Sequence, residues 1–244
     1  MTKLSFYCII IIVRTEYFGE IKAVAFDIDG TLYKELPFNI LVMPHFIKHL
    51  NFFLEYNKVR KELRKNNTNG FYEDFNFEQS RLLAEKLKCS PEQATEKLNK
   101  LVYEGLKKYY LKLKPYKGAL EFIRHLKEQG LKVALLSDFP PEQKGEIWGI
   151  KQYCDFLIGS EQTGALKPSP YVFSILQKTL NEPAENILYV GNNFKYDIVG
   201  SKNAGMKAAW IITPSKKISE QEKKLADVVF YDYSELETKF FEKK

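Results

Sequence analysis

A chain of 244 residues with 45% hydrophobic and 28% charged residues has apolar material for a full core, which excludes a disordered or fibrous protein. Ten prolines and 13 glycines are scattered, with no repeat, low-complexity tract or Gly/Ser linker, so a second domain is expected as an insertion. The net charge of +6 comes with no nucleic-acid-binding motif, and Cys8, Cys89 and Cys154 lie far apart with no C-x-x-C pair. The cysteine pattern argues against a disulfide framework or a zinc site and fits a reducing, cytoplasmic setting.

The chain begins with the apolar run 4–13, which includes four consecutive isoleucines. It is too short to span a bilayer, and Arg14-Thr15-Glu16 follows where a cleavage site would need small residues. Residues 1–20 are therefore read as an N-terminal extension, with an extra edge strand as its simplest form, and no membrane partner is expected.

From residue 21 short apolar runs alternate with amphipathic stretches, the pattern of an open parallel sheet with helices on both faces. The runs 23–26, 132–136, 156–158, 187–190, 208–212 and 228–230 read as strands buried on both faces. Residues 118–129 closed by Gly130, 170–180, and 197–203 before Gly205 read as helices.

The interval 34–114 breaks the alternation, with several helical patterns and no convincing strand. The fold class is thus α/β: a Rossmann-like core of residues 21–33 and 115–244 with an inserted all-helical cap over 34–114. One helix is expected to begin at Pro44, with Phe46, Leu50, Phe53 and Leu54 at helical spacing. Another begins at Ser90-Pro91-Glu92-Gln93, a serine N-cap, a proline in the first turn and a glutamine placed for a capping box. From there Ala94, Leu98, Leu101, Val102, Leu106 and Tyr109 form one stripe. The insertion holds sixteen Lys/Arg against ten Asp/Glu, the whole excess of the chain. Its densest cluster, Lys58, Arg60, Lys61, Arg64 and Lys65, reads as a solvated helix face in preference to an anion-steering surface.

Asp27-Ile28-Asp29-Gly30-Thr31 follows the first buried strand, so both aspartates emerge at a carboxyl edge, where open α/β sheets bind ligands. Two acids this close resist ionising together unless a cation lies between them. The pair suits a metal-assisted displacement, one carboxylate attacking and the other moving a proton. Gly30 permits a tight loop with N–H groups turned to an anion, and Thr31 can hydrogen-bond the nucleophile.

Here the chain resembles the haloacid dehalogenase superfamily, whose first motif is D-x-D-x-[TV]. The likeness runs over about residues 21 to 232 and continues at Ser137, at Lys167-Pro168 and at Gly191-Asn192-Asn193-Phe194-Lys195-Tyr196-Asp197. It implies Asp27 as nucleophile, Asp29 as acid–base partner and Lys167 as the group neutralising nucleophile and phosphate. Gly30, Thr31, Ser137, Asp138 and Lys167 would surround the phosphate, and Asp27, Asp29, Asn192 and Asp197 would hold Mg2+. The fourth motif departs from the family pattern, with Asn192 where relatives carry an aspartate; an amide oxygen ligates a hard cation without formal charge, so weaker binding is expected. Either Asn192 or Asp197 would make the direct contact.

Asp29 separates phosphatase from dehalogenase, since the dehalogenases of the family lack that acid. The resemblance therefore implies a magnesium-dependent phosphatase with a C1-type cap, acting on a small phosphorylated metabolite such as a nucleotide or sugar phosphate, as a monomer or homodimer. A catalytically silent binding protein, favoured by Asn192, and a phosphomutase are the alternatives.

Overall fold

A computed structural model of the chain describes residues 13–66 and 70–241; the apolar run lies outside these, apart from Val13. The described chain opens with a hairpin of β1 (Val13–Thr15) and β2 (Gly19–Ile21), paired antiparallel. Its turn is tied by the Phe18 N–H, which donates to Thr15 Oγ1 at 2.8 Å.

β3 (Ala23–Phe26) follows, and then the helices of the insertion: α1 (Glu35–Lys48), α2 (Leu50–Asn66), α3 (Phe75–Leu87), α4 (Pro91–Leu98) and α5 (Lys107–Tyr110). Among the described residues no named strand lies between β3 and residue 115, and Tyr33 and Pro115 form a bridge where the chain leaves and re-enters the sheet layer. The remainder alternates: α6 (Ala119–Glu128), β4 (Lys132–Ser137), β5 (Phe156–Gly159), α7 (Pro170–Leu180), β6 (Ile187–Gly191), α8 (Gly200–Asn203), β7 (Lys207–Ile211), α9 (Glu220–Leu225), β8 (Val228–Phe230) and α10 (Tyr233–Phe241). The expected strands are all present.

The six strands β3 to β8 form one parallel sheet in the order β5-β4-β3-β6-β7-β8. Side chains alternate along each strand, so Val24 and Phe26 join Phe122 and Leu126 of α6 on one face. Ala23 and Ala25 join Phe173 and Leu176 of α7 on the other. That two-sided burial is why the strands read as unbroken apolar runs rather than as alternation. The strand order reverses at β3, with β4 and β5 on one side and β6 to β8 on the other, so the carboxyl ends of β3, β4 and β6 enclose the crevice where such sheets bind ligands.

Two helical expectations change. Pro44 is not in a first turn: α1 starts nine residues earlier, with Pro37 in its first turn, and Pro44 lies inside a helix that ends at Lys48. The proline can give no N–H to the preceding turn, and the chain re-enters a helix only at Leu50. The predicted α4 has its full capping box, but the stripe beyond it runs through a wider π-type turn over Asn99–Tyr103 before α5. No helix among the described residues is long and apolar enough to cross a membrane. Cys89 and Cys154 are free thiols, and Cys8 lies outside the described residues.

Candidate active site

Asp27 is the first residue past β3, and its N–H still donates to Val190 O of β6 at 2.9 Å, so the sheet itself fixes the backbone of the nucleophile candidate. The side chain is buried. Its Oδ2 accepts from Thr31 Oγ1 at 2.8 Å and its Oδ1 from Lys167 Nζ at 2.6 Å. Lys167 Nζ also reaches Asp197 Oδ1 at 2.7 Å and Tyr189 Oη at 3.2 Å. One ammonium thus bridges two buried carboxylates. Burial pushes the Asp27 carboxyl up to about 8, with Asp197 and Asp29 adding to the rise and Lys167 opposing it. Burial works against the Lys167 charge as well, but Asp197 and Asp27 hold its pKa well above the ordinary lysine value.

Asp29 points to the opposite side of the loop. Its Oδ1 accepts from Tyr33 Oη at 2.7 Å, and its Oδ2 accepts from Ser137 Oγ at 2.9 Å and faces Lys144 Nζ at 3.1 Å. Lys144 is fully buried, stands over the rings of Tyr110 and Phe139, and also reaches Ser137 Oγ at 3.3 Å. The sequence reading missed it. It ends a single 3-10 turn, Pro141–Lys144, with no motif around it, and only the parallel pairing of β3 with β4 brings it to Asp29.

Two glycines are required by close approach. Gly30 has φ +84°, and a Cβ there would lie 2.2 Å from Asn192 Nδ2 and 2.7 Å from the Glu35 side chain. A Cβ on Gly191 would lie 2.3 Å from the side chain of Asp197. Asp27, Asp29, Gly30, Thr31, Ser137, Lys167, Asn192 and Asp197 therefore converge on one edge of the sheet.

Asp138 and Asp197 are both tied to the loop that carries Lys167. The Asp138 carboxylate accepts from Ser160 Oγ at 2.7 Å, the Lys167 N–H at 3.1 Å and Arg64 Nη2 at 2.5 Å. Burial opposes its ionisation, yet Arg64, Lys167 and Arg60 hold it well below the usual carboxylate range. Held in this way, the Asp138 carboxylate braces the lysine loop. Asp197 accepts from Lys167 through Oδ1 and from the Asn193 N–H at 2.9 Å through Oδ2, so both its oxygens have protein partners. In the basic cluster of α2, Lys58, Lys61 and Lys65 are exposed as a solvated face requires, but Arg60 and Arg64 turn inward. Arg60 is buried against Glu161, 2.5 Å away, and Arg64 reaches both Asp138 and Lys167 O.

For a hard cation the relevant oxygens are Asp27 Oδ2 and Asn192 Oδ1, which lie 2.8 and 3.4 Å from the same Thr31 hydroxyl. Glu35 Oε1 accepts from Asn192 Nδ2 at 2.9 Å and adds a carboxylate at the rim. Among the described residues no group of three or more His, Cys, Asp and Glu side chains is gathered as a metal site. The donors are nonetheless all oxygen, and few of them, which fits magnesium, a cation that keeps several of its own waters.

On the far side of Asp29, under the insertion, lies a cavity of about 300 Å³. Its walls include Tyr33, Phe38, Phe53, Tyr56, Tyr110 and Phe139.

A family model described as haloacid dehalogenase-like hydrolase matches residues 21–205. The chain is 28% identical to a glyceraldehyde 3-phosphate phosphatase of Pyrococcus abyssi over 200 residues, 78% of this chain and 81% of that protein. It is 30% identical to an (S)-2-haloacid dehalogenase of Pseudomonas fluorescens over 136 residues, 52% of this chain and 57% of that one. Among solved structures, a HAD phosphatase from Thermococcus onnurineus superposes with a TM-score of 0.59 at 25% identity, covering 88% of this chain and 96% of that one.

Proposed function

The chain belongs to the haloacid dehalogenase-like hydrolase family, and from that premise we propose that it is a magnesium-dependent phosphatase of small phosphorylated metabolites, working through an aspartyl phosphate on Asp27. The observation that carries the reading over dehalogenation is Asp29, an acid two residues past the nucleophile, held by Tyr33, Ser137 and Lys144 at the junction between Asp27 and the cavity.

Lys167, with Asp197 behind it, holds the Asp27 carboxylate and offers its ammonium to the phosphoryl group. The attacking oxygen of Asp27 forms a bond to phosphorus in line with the ester oxygen, whose bond breaks as Asp29 gives it a proton. A water then adds to phosphorus and yields its proton to Asp29, and the bond from Asp27 to phosphorus breaks to release phosphate. Ser137, Lys167 and the N–H groups near Gly30 hold the equatorial oxygens. Lys144 stabilises the Asp29 carboxylate left after proton transfer and the charge growing on the leaving oxygen. A magnesium ion held by Asp27, the backbone carbonyl of Asp29, Asn192 and water would offset the repulsion between carboxylate and phosphate dianion.

Asp27→Asn keeps shape and removes the nucleophile, so it should abolish magnesium-dependent hydrolysis of p-nitrophenyl phosphate. Turnover within tenfold of the parent would rule out the covalent scheme. Asn192, neutral where the family carries an acid, favours one other reading, a silent binding protein; a parent without phosphatase activity on any ester tested would support it.

A further inference from the structure

At position 192, where the chain departs from its family, a residue of the insertion stands against the side chain. Asn192 Nδ2 donates to Glu35 Oε1 at 2.9 Å, and among the described residues neither that amide nitrogen nor the Glu35 carboxylate has another hydrogen-bond partner. Glu35 is the first residue of α1, so the contact joins the insertion to the loop after β6 across 157 positions of sequence. Gly30 leaves room for it, since a Cβ there would lie 2.2 Å from Asn192 Nδ2 and 2.7 Å from Glu35 Oε1. Trp210 Nε1 donates to Asn192 O at 2.8 Å, which holds the backbone and leaves the side-chain amide to choose its orientation.

That choice decides what a cation beside Asp27 would meet. An amide has nearly the same shape either way round, with an acceptor on one arm and two donors on the other, so its hydrogen bonds settle which arm faces which neighbour. A carboxylate without a proton only accepts, so Glu35 takes the NH2 arm and turns Oδ1 inward, 3.4 Å from Thr31 Oγ1. The Thr31 hydroxyl has one proton to give, and Asp27 Oδ2, at 2.8 Å, is its nearer acceptor. Oδ1 therefore keeps lone pairs for a hard cation on the Asp27 side. Turned over, the amide would set N–H groups where the cation belongs and its oxygen against the Glu35 carboxylate, which is unfavourable on both sides. An aspartate at this position would need no such holder, because its two oxygens are equivalent.

We propose that Glu35 is a positioning residue for the magnesium site: it holds the Asn192 amide with its oxygen toward Asp27, and so lets a neutral side chain serve where the family carries an acid. The inference rests on the magnesium-dependent reading and concerns only its metal site. Glu35 acts on the cation through Asn192, so its effect must vanish when the amide at position 192 is gone.

The test is the magnesium concentration that gives half of the full rise in thermal midpoint, measured without substrate. Glu35→Ala should raise that concentration about tenfold, the effect of one lost hydrogen bond to a charged group. Glu35→Gln keeps an acceptor for the amide and should recover most of the loss. In an Asn192→Asp background Glu35→Ala should bring no loss, since no amide remains to be turned, and Asn192→Ala offers the same comparison should Asn192→Asp fold poorly. Glu35 is exposed, so the metal-free midpoint of Glu35→Ala should stay close to that of the parent. Equal magnesium requirements in the parent and Glu35→Ala, or the same loss from Glu35→Ala in either background, overturn the inference and leave the magnesium site standing. A parent whose midpoint does not respond to magnesium overturns the inference together with the magnesium part of the proposed function.

Discussion

At Asp29 the carboxyl that would carry a proton to the leaving oxygen is paired with Lys144, 3.1 Å away. Lys144 would then share the charge on the departing oxygen during ester cleavage. The neighbouring departure from the family lies at Asn192, whose Nδ2 touches Glu35 Oε1. Asn192→Asp would replace that attraction by two adjacent carboxylates, one of them close to Asp27. Without a cation the variant should melt at a lower temperature than the parent, and magnesium should raise its midpoint more. The magnesium needed for half of the rise should fall on the order of tenfold, about 1.4 kcal/mol of added attraction. Thermal melts over a magnesium series check this without reference to turnover, and equal responses in both proteins would place the cation away from Asn192.

At the scale of elements, α2 is the fastening of the insertion to the sheet. Arg60 spans from α2 to Glu161 just past β5, and packs over the ring of Phe139, 4.8 Å from its centroid. The pair is incompletely satisfied, since Arg60 Nη2 and Glu161 Oε1 find no partner among the described residues. Removing one partner strands a buried charge, so Arg60→Met should cost about 3–5 kcal/mol in urea unfolding. Arg60→Met combined with Glu161→Gln removes both charges and should cost less than the single change. A double variant as unstable as the sum of the singles would show that the two side chains act independently. This fastening was hidden in the sequence because the run from Lys58 to Lys65 has the composition of a solvated face, and which of its members turn inward depends on an acid a hundred residues away. The strands were legible because burial on both faces leaves contiguous apolar letters, and Asp27 and Asp29 because they directly follow such a run, whereas Ser137 and Lys167 stood out only through the family resemblance. Lys144 carries no such local mark, for it ends a single 3-10 turn after β4.

Across the whole molecule, the insertion and the sheet share one apolar cluster. Val59, Leu63 and Leu83 of the helices belong to the same buried group as Phe26, Leu135 and Val190 of the strands. The insertion thus lacks a core closed on itself, although its length alone would allow an independent unit. Two tryptophans sit well apart in this arrangement. Trp148 lies against Tyr33 at the foot of the insertion, with centroids 5.4 Å apart, and Trp210 is buried in β7 among Ile198, Ala208 and Ile212. If the shared cluster binds the two layers into one cooperative unit, Trp148→Phe and Trp210→Phe, each leaving a single reporter, should unfold with the same denaturant midpoint by fluorescence as by far-ultraviolet circular dichroism, once each variant is compared with itself. A fluorescence transition from Trp148 that precedes the loss of helix signal would mean that the insertion lifts from the sheet as a separate step. The cavity behind Asp29, whose walls come from α1, α2, α5 and the Phe139 loop, would then open before the sheet does, and substrate entry would follow that equilibrium rather than a fixed channel.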